Sequence, residues 1–378
     1  MRLLAHVGFF VVLLLGTAWL VAAVLLTGGG AQGPEAWRYG AVVLLVGLLG
    51  LLWSRSRGQV LGALALFCLS AFQWGRTVSP SSTRDWAPDL VRAARAEVQG
   101  SRVTFHDLRD FRYRSTTDWD ASWKSDTYDT QELVRAWYIV EPFSGFEGAA
   151  HTMVSFEFSG DRFLAFSVEI RREPGETYSV LGGLFRQYEL VYVVGDERDL
   201  VQLRSNHRRD DVYVYPVRAS QERTVAFFLD MVQRMNALHE RPEFYDSFTN
   251  NCTTNLVRHL ETVSATNVPY DHRTLLPAYS DELALALGLI DTDVGLEETR
   301  KRHHINALAL AAQGRDDFSL LIRAPATAPL NRTRAPAGSP RGWWPRRGPS
   351  PGRARPRGRA GSGAGRRTAS RTGPGPSR

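Results

Sequence analysis

Three apolar runs crowd into the first 75 residues, and they limit what this chain can fold into more than any other feature of its sequence. The first, Leu3 to Leu26, is broken only by His6 and small residues, and its roughly 24 positions exceed the ~20 that a helix needs to cross a hydrocarbon core. No small-x-small cleavage site precedes further apolar sequence, so the run reads as an uncleaved anchor. A Gly-rich connector, Gly28 to Gly33, leads to two shorter runs at about 37–53 and 59–74, flanked by Trp37, Tyr39, Trp53 and Trp74, which suit membrane interfaces. Arg55 and Arg57 lie in the link between them. Positive-inside logic assigns that link and Arg2 to the cytoplasm and everything after Trp74 to the outer side. Residues 1–75 are thus expected to form a membrane anchor of three transmembrane helices; a buried helical hairpin is the alternative for the second and third runs.

Charge divides the chain in the same way. The formal net charge is +7, which invites a nucleic-acid reading, but residues 331–378 carry thirteen Arg and no acid while residues 76–330 hold 29 basic and 38 acidic side chains. The basicity belongs to the tail, and no specific nucleic-acid partner is expected. Those last 48 residues also hold ten Gly and eight Pro with almost no aliphatic side chains, too little apolar surface to offset ordering entropy. The expected organisation is an anchor (1–75), an extracytoplasmic domain (76–310), and a linker with a disordered Arg/Gly/Pro-rich tail (311–378).

Within the middle region, residues 76 to about 118 are polar, and Arg92 to Glu97 reads as a short helix. Segments rich in β-branched and aromatic residues follow at 136–141, 151–158, 162–171, 189–194 and 211–216, each a strand by pattern. Helical patterns take over at 221–238, 253–262 and 280–289. Strands followed by helices indicate an α+β domain.

The chain has two cysteines, Cys68 in an apolar run and Cys252, so a disulfide framework is excluded. Asn250 and Asn251 are good N-cap residues, and Leu256, Val257 and Leu260 then recur at helical spacing, which places Cys252 at or within one residue of a helix start. There the unpaired N–H groups and the helix dipole favour a thiolate, the nucleophilic form. The rival reading is a buried, inert cysteine.

A thiol nucleophile needs a base. His259 follows Cys252 by seven residues, two turns away and too far to touch it. His151 opens a strand after a flexible loop, Ser144 to Ala150. If Ser159-Gly160-Asp161 is a three-residue hairpin loop, Thr152, Val154, Phe156 and Phe158 share an apolar face with Leu164, Phe166, Val168 and Ile170, the register a buried sheet selects. The opposite face then carries His151, Met153, Ser155, Ser167 and Glu169, with Glu169 directly across from His151, where a carboxylate orients an imidazole for accepting the thiol proton. The bland alternatives are a satisfied strand-end histidine and a surface Glu169 paired with Arg171 or Arg102.

Several segments in this order, Leu108-Arg-Asp-Phe-Arg-Tyr113, His151-Thr-Met-Val-Ser-Phe156, Ser167-Val-Glu-Ile-Arg-Arg-Glu-Pro-Gly-Glu176, Tyr188-Glu-Leu-Val-Tyr-Val-Val-Gly-Asp-Glu-Arg-Asp199 and Thr249-Asn-Asn-Cys-Thr-Thr-Asn255, resemble the Lnb N-terminal periplasmic domain family over about residues 95–285. The resemblance implies a circularly permuted papain-like domain in which the His strand precedes the Cys helix. It also implies acyl transfer, from a phospholipid donor to the N-terminal cysteine of a lipoprotein, at the bacterial inner membrane with the catalytic domain on the periplasmic side. Carried over, it makes Cys252 the acyl-accepting nucleophile and His151 its base. Membrane segments ahead of the domain and a basic tail after it depart from the family pattern. The expected catalytic set is Cys252, His151 and Glu169, with the N–H groups of Cys252 and Thr253 and the Asn251 side chain as oxyanion donors. No cofactor and no metal are expected. A cysteine peptidase or amidase acting on cell-wall peptides uses the same groups, and a non-catalytic envelope scaffold needs none of them.

Overall fold

The computed structural model describes residues 78–145, 147–264 and 267–323, together with the isolated helical positions Gly16, Ala18, Ala65, Cys68, Leu69, Phe72 and Arg76. Its strands are β1 (Arg95–Gln99), β2 (Arg102–Arg109), a small ribbon of β3 (Arg112–Tyr113) and β4 (Trp119–Asp120), β5 (Trp123–Asp129), β6 (Leu133–Pro142), β7 (Ala150–Phe158), β8 (Arg162–Arg171), β9 (Glu189–Gly195) and β10 (Tyr213–Pro216). Eight of them form one sheet in the order β1-β2-β9-β8-β7-β6-β10, with β5 also paired to β2. The helices are α1 (Val180–Leu184), α2 (Glu197–Gln202), α3 (Gln221–Glu240), α4 (Cys252–Ser264), α5 (His272–Leu275), α6 (Ser280–Ala286), α7 (Leu296–His303), α8 (Asn306–Ala311) and α9 (Phe318–Leu321).

The β7–β8 hairpin turns through Ser159-Gly160-Asp161, pairing Phe158 with Arg162 and Met153 with Ser167, the register expected from alternation. Both faces of the sheet are covered. On one, Phe156, Phe166 and Phe105 meet Phe228 of α3 edge-on at ring separations of 5.0, 5.9 and 6.0 Å, contacts that add about 0.5–1.5 kcal/mol each to the burial itself. Cys252 and Leu256 of α4 pack into this same layer. On the other, Met153, Ile139 and Val214 pack under Ile305, Ala309 and Phe318.

At the junction of β2 and β9, Gly195 pairs in parallel with Arg109. A Cβ at this position would lie 2.2 Å from the Arg109 carbonyl oxygen, so only glycine permits the approach.

Two expectations are corrected. The anticipated α+β domain preceded by three transmembrane helices becomes an α+β fold with one main sheet and flanking helices: no helix among the described residues is long and apolar enough to cross a membrane. The spans placed at 3–26, 37–53 and 59–74 lie outside the described residues apart from six isolated positions. The second and third runs, of 17 and 16 residues, are also shorter in sequence than the ~20 residues a helical span needs. The second correction is Arg92 to Glu97, where the chain enters strand β1 instead of a helix. Its charges misled because they sit on an exposed edge, while β2 and the side chain of Asn236 take its backbone groups: Ala96 N–H donates to Asn236 Oδ1 (2.9 Å) and Asn236 Nδ2 donates to the Ala96 carbonyl (2.7 Å).

Candidate active site

Helix α4 begins at Cys252 because Asn251 caps it. Asn251 Oδ1 accepts the Thr254 N–H (2.9 Å), and Thr254 Oγ1 accepts the Asn251 N–H (2.8 Å). This reciprocal pair is a capping box with threonine in place of the usual acid or amide. The Asn251 amide also donates to the Ser247 carbonyl (2.7 Å), which fastens the loop to the helix. Upstream, Tyr245 N–H donates to the Tyr188 carbonyl (2.9 Å) and Leu190 N–H to the Glu243 carbonyl (2.8 Å), pinning the approach to the edge of β9. Asn251 thus spends one of its two amide N–H groups on Ser247 while its oxygen caps the helix that presents the thiol. The first-turn N–H groups of Cys252 and Thr253 have no protein acceptor among the described residues, as expected for a helix N-terminus.

The start of β7 meets this turn. Thr152 Oγ1 lies 3.2 Å from Thr253 Oγ1, and Thr253 Oγ1 lies 3.9 Å from Cys252 Sγ. His151 is buried beside them, and it is the main group that lowers the thiol's proton affinity. On its far side, His151 Nε2 lies 2.6 Å from Ser167 Oγ and 3.3 Å from Glu169 Oε1. Ser167 gives its only proton to Glu169 Oε1 (2.5 Å), so its oxygen must accept from the Nε2–H. That assignment leaves the Nδ1 lone pair for the thiol proton.

Glu169 is held in turn by Arg204, whose Nη2 donates to Oε1 (2.5 Å) while its Nε donates to Glu141 Oε2 (2.6 Å). Arg204 thus takes the place of the Arg171 or Arg102 partner that a surface carboxylate would have used.

Electrostatics follow from these contacts. Burial pushes the Glu169 carboxyl up, but the charges of His151 and then Arg204 outweigh it and hold the group well below the usual carboxylate range. Burial likewise pushes the His151 imidazole down, and Glu169 and the thiol reverse this, lifting it to about 9. For Cys252, burial acts upward, and the hydrogen bond and charge of His151, with hydrogen bonds from Thr152, carry the thiol down to about 7. Near neutral pH the two groups together therefore favour a thiolate beside an imidazolium.

The structure brings Cys252, His151, Glu169 and Thr253 together and gives Asn251 a capping role. Sequence reasoning placed Ser167 on the correct face without assigning it a contact, and it missed Thr152 and Arg204. It also missed Tyr178 and Tyr245, whose rings meet edge-to-face at 6.4 Å and whose hydroxyls are pushed up in pKa first by burial and then by the charge of Cys252. His259 belongs to a separate buried chain, with Nδ1 at 2.6 Å from Asp230 Oδ2 and Nε2 at 2.7 Å from the Tyr192 hydroxyl.

Residues 119–278 match the family model of the Lnb N-terminal periplasmic domain, a segment that contains His151, Ser167, Glu169, Arg204 and Cys252. No curated protein and no solved structure matches the chain.

Proposed function

From that family match and the geometry of the site, we propose that the domain is an extracytoplasmic cysteine acyltransferase in which Cys252 is the nucleophile and His151 its base. The observation that carries the reading is the buried thiol at a helix N-terminus, lowered in pKa by a buried imidazole whose Nε2 is held by Ser167 and Glu169. Nδ1 of His151 takes the thiol proton, and the thiolate attacks the carbonyl carbon of an acyl ester. The first-turn N–H groups of Cys252 and Thr253 receive the developing oxyanion. The C–O bond then breaks, the alcohol leaves with the proton from His151, and a thioester remains on Cys252. An acceptor amine attacks this thioester, His151 removes the amine proton, and the C–S bond breaks to return the thiolate.

Apolar surface near the thiol supports acyl substrates over cell-wall peptides. Tyr178, Val180, Leu181 and Phe248 are all exposed by 42–56%. They belong to one neighbourhood: Ser247 Oγ donates to the Val180 carbonyl (2.8 Å), next to Phe248, and Tyr178 contacts Tyr245. The acyl donor and acceptor implied by the family are a phospholipid and a lipoprotein N-terminus.

The test is mass spectrometry of lipoproteins from a bacterial strain lacking its own N-acyltransferase. Expression of this protein is expected to add an N-acyl chain, and Cys252→Ala and His151→Ala to abolish the addition. Lipoproteins left unchanged by a folded, correctly exported protein would reject this transfer and favour hydrolysis.

A further inference from the structure

Arg204 has the largest of the fully buried side chains, 2% exposed, yet it carries a charge and donates to the same Glu169 oxygen that faces His151. It is carried by a π-helical turn, Leu203–Arg208, that follows α2 directly and is closed by Arg209 in the left-handed region at φ +62°. Such turns are uncommon and recur at functional sites, because the extra residue re-aims a side chain that a regular helix would send elsewhere. Here the re-aimed guanidinium divides its donors among four acceptors, the longest contact being Nη2 to Ser167 Oγ (3.5 Å). Nη1 donates to the Leu200 carbonyl (2.6 Å), Nε to Glu141 Oε2 (2.6 Å) and Nη2 to Glu169 Oε1 (2.5 Å).

Glu169 needs such a hold. Its side chain is 25% exposed, so water competes for its carboxylate, whereas His151 beside it is 8% exposed. Oε1 accepts from both Ser167 and Arg204, whose Nη2 also lies 3.5 Å from Ser167 Oγ, and this holds it 3.3 Å from His151 Nε2. We propose that Arg204 is a positioning residue for the nucleophile pair: its guanidinium clamps Glu169 against Ser167 and His151, and through that carboxylate keeps the imidazole able to hold the proton of Cys252. The inference rests on the reading of Cys252 and His151 as a nucleophile and its base.

The surrounding charges make the clamp separable from simple electrostatics. Glu141 on β6 faces Arg204 and, at 3.5 Å, Arg208. Arg109 on β2 is paired with Asp199 on α2 (2.8 Å), and Tyr113 on β3 and Asp210 complete the groups that act on this cluster. The two carboxylates Glu141 and Glu169 are thus matched by Arg204 and Arg208, and moving a proton from Cys252 to His151 leaves the net charge unchanged. A positive charge as such disfavours a second one on His151. Removing Arg204 for its charge alone would therefore make His151 more basic and the thiolate easier to form, whereas losing the clamp does the reverse.

Two variants exploit that difference in sign. Arg204→Lys keeps the charge but cannot bridge two carboxylates with a fork of fixed geometry. Arg204→Met combined with Glu141→Gln removes one charge of each sign, so the net charge of the cluster is kept while Glu169 loses the guanidinium and retains Ser167 and His151. In the full-length protein, the pH profile of Cys252 alkylation by iodoacetamide is read by peptide mass spectrometry, which separates it from Cys68, and thermal unfolding is recorded alongside. Both variants are expected to move the alkylation midpoint upward by about one pH unit, a tenfold change in the proton equilibrium. Glu169→Gln is expected to move it in the wild-type background and to add nothing in the Arg204→Lys background. An unchanged or lowered midpoint in both variants, whatever their thermal stability, overturns the proposal, as does an undiminished effect of Glu169→Gln in the Arg204→Lys background. A wild-type thiol that titrates ordinarily and ignores His151→Ala would instead sink the underlying reading of the pair.

Discussion

Replacing His151 by alanine tests the site at its most quantitative point. The Cys252 thiol sits at about 7 against an ordinary value of 9.0, although its burial by itself acts upward. The hydrogen bond and charge of His151 are the largest opposing causes. Without the imidazole, burial remains and the thiol should return to 9.0 or above. At pH 7 the thiolate fraction then falls from about one half to about 1%, roughly 50-fold. A more basic thiolate is also a better nucleophile, by about 8-fold for two pH units at a Brønsted slope of ~0.45. The net expectation for iodoacetamide alkylation is a rate about 6-fold lower at pH 7, with the two profiles crossing at about pH 8 and the variant faster above it. Site-resolved alkylation of Cys252 across pH 5–10.5 measures this directly. A His151→Ala profile that overlays the wild type, or that lies lower at every pH without a shifted midpoint, would refute the claim that the imidazole sets the ionisation of the thiol.

Two further outcomes follow from the surrounding structure. Asn251→Ala removes the capping box of α4, at about 1 kcal/mol, and leaves the Ser247 carbonyl without its donor, at about 1–3 kcal/mol; urea denaturation should show about 2–4 kcal/mol lost, and a loss below 0.5 kcal/mol would contradict the capping role. Glu189 is raised from 4.5 to about 7 by burial, with Arg84 and the Ser81 N–H opposing this and Oε2 left without a partner, so its folded form holds a proton that the unfolded chain has already released. Stability should therefore fall as pH rises from about 4.5 through about 7, by up to about 3 kcal/mol from this group; denaturation midpoints at pH 5 and pH 8 should show a smaller difference in Glu189→Gln, and an equal difference would exclude Glu189 as its source.

The parts of this site that were legible in the sequence are those specified over short distances. The Asn-Asn-Cys-Thr-Thr segment carries its own cap, so Cys252 could be placed at a helix start without any tertiary information, and the structure begins α4 at that residue. A three-residue loop and an apolar alternation sufficed to set β7 against β8, and with them the placement of Glu169 across from His151. Strand β1 escaped because its one buried position is the small Ala96 and its remaining side chains face water, a pattern that also fits a charged helix.

Sequence by itself thus determined the five strands β6 to β10 with the helices α3 and α4 after them, the cap that presents Cys252 and the hairpin that aligns His151 with Glu169, since each depends on periodicity or turn chemistry within about twenty residues. Only the tertiary structure decided which partners complete the chemistry. Thr152 meets Thr253 across 101 positions, and Arg204 reaches Glu169 across 35 positions and Glu141 across 63. Those contacts depend on the sheet order and on a π-helical turn that re-aims one arginine, and neither leaves a local pattern in the chain. A buried guanidinium and a surface one read the same in a sequence, because what separates them is the desolvation cost that only correctly placed carboxylates offset.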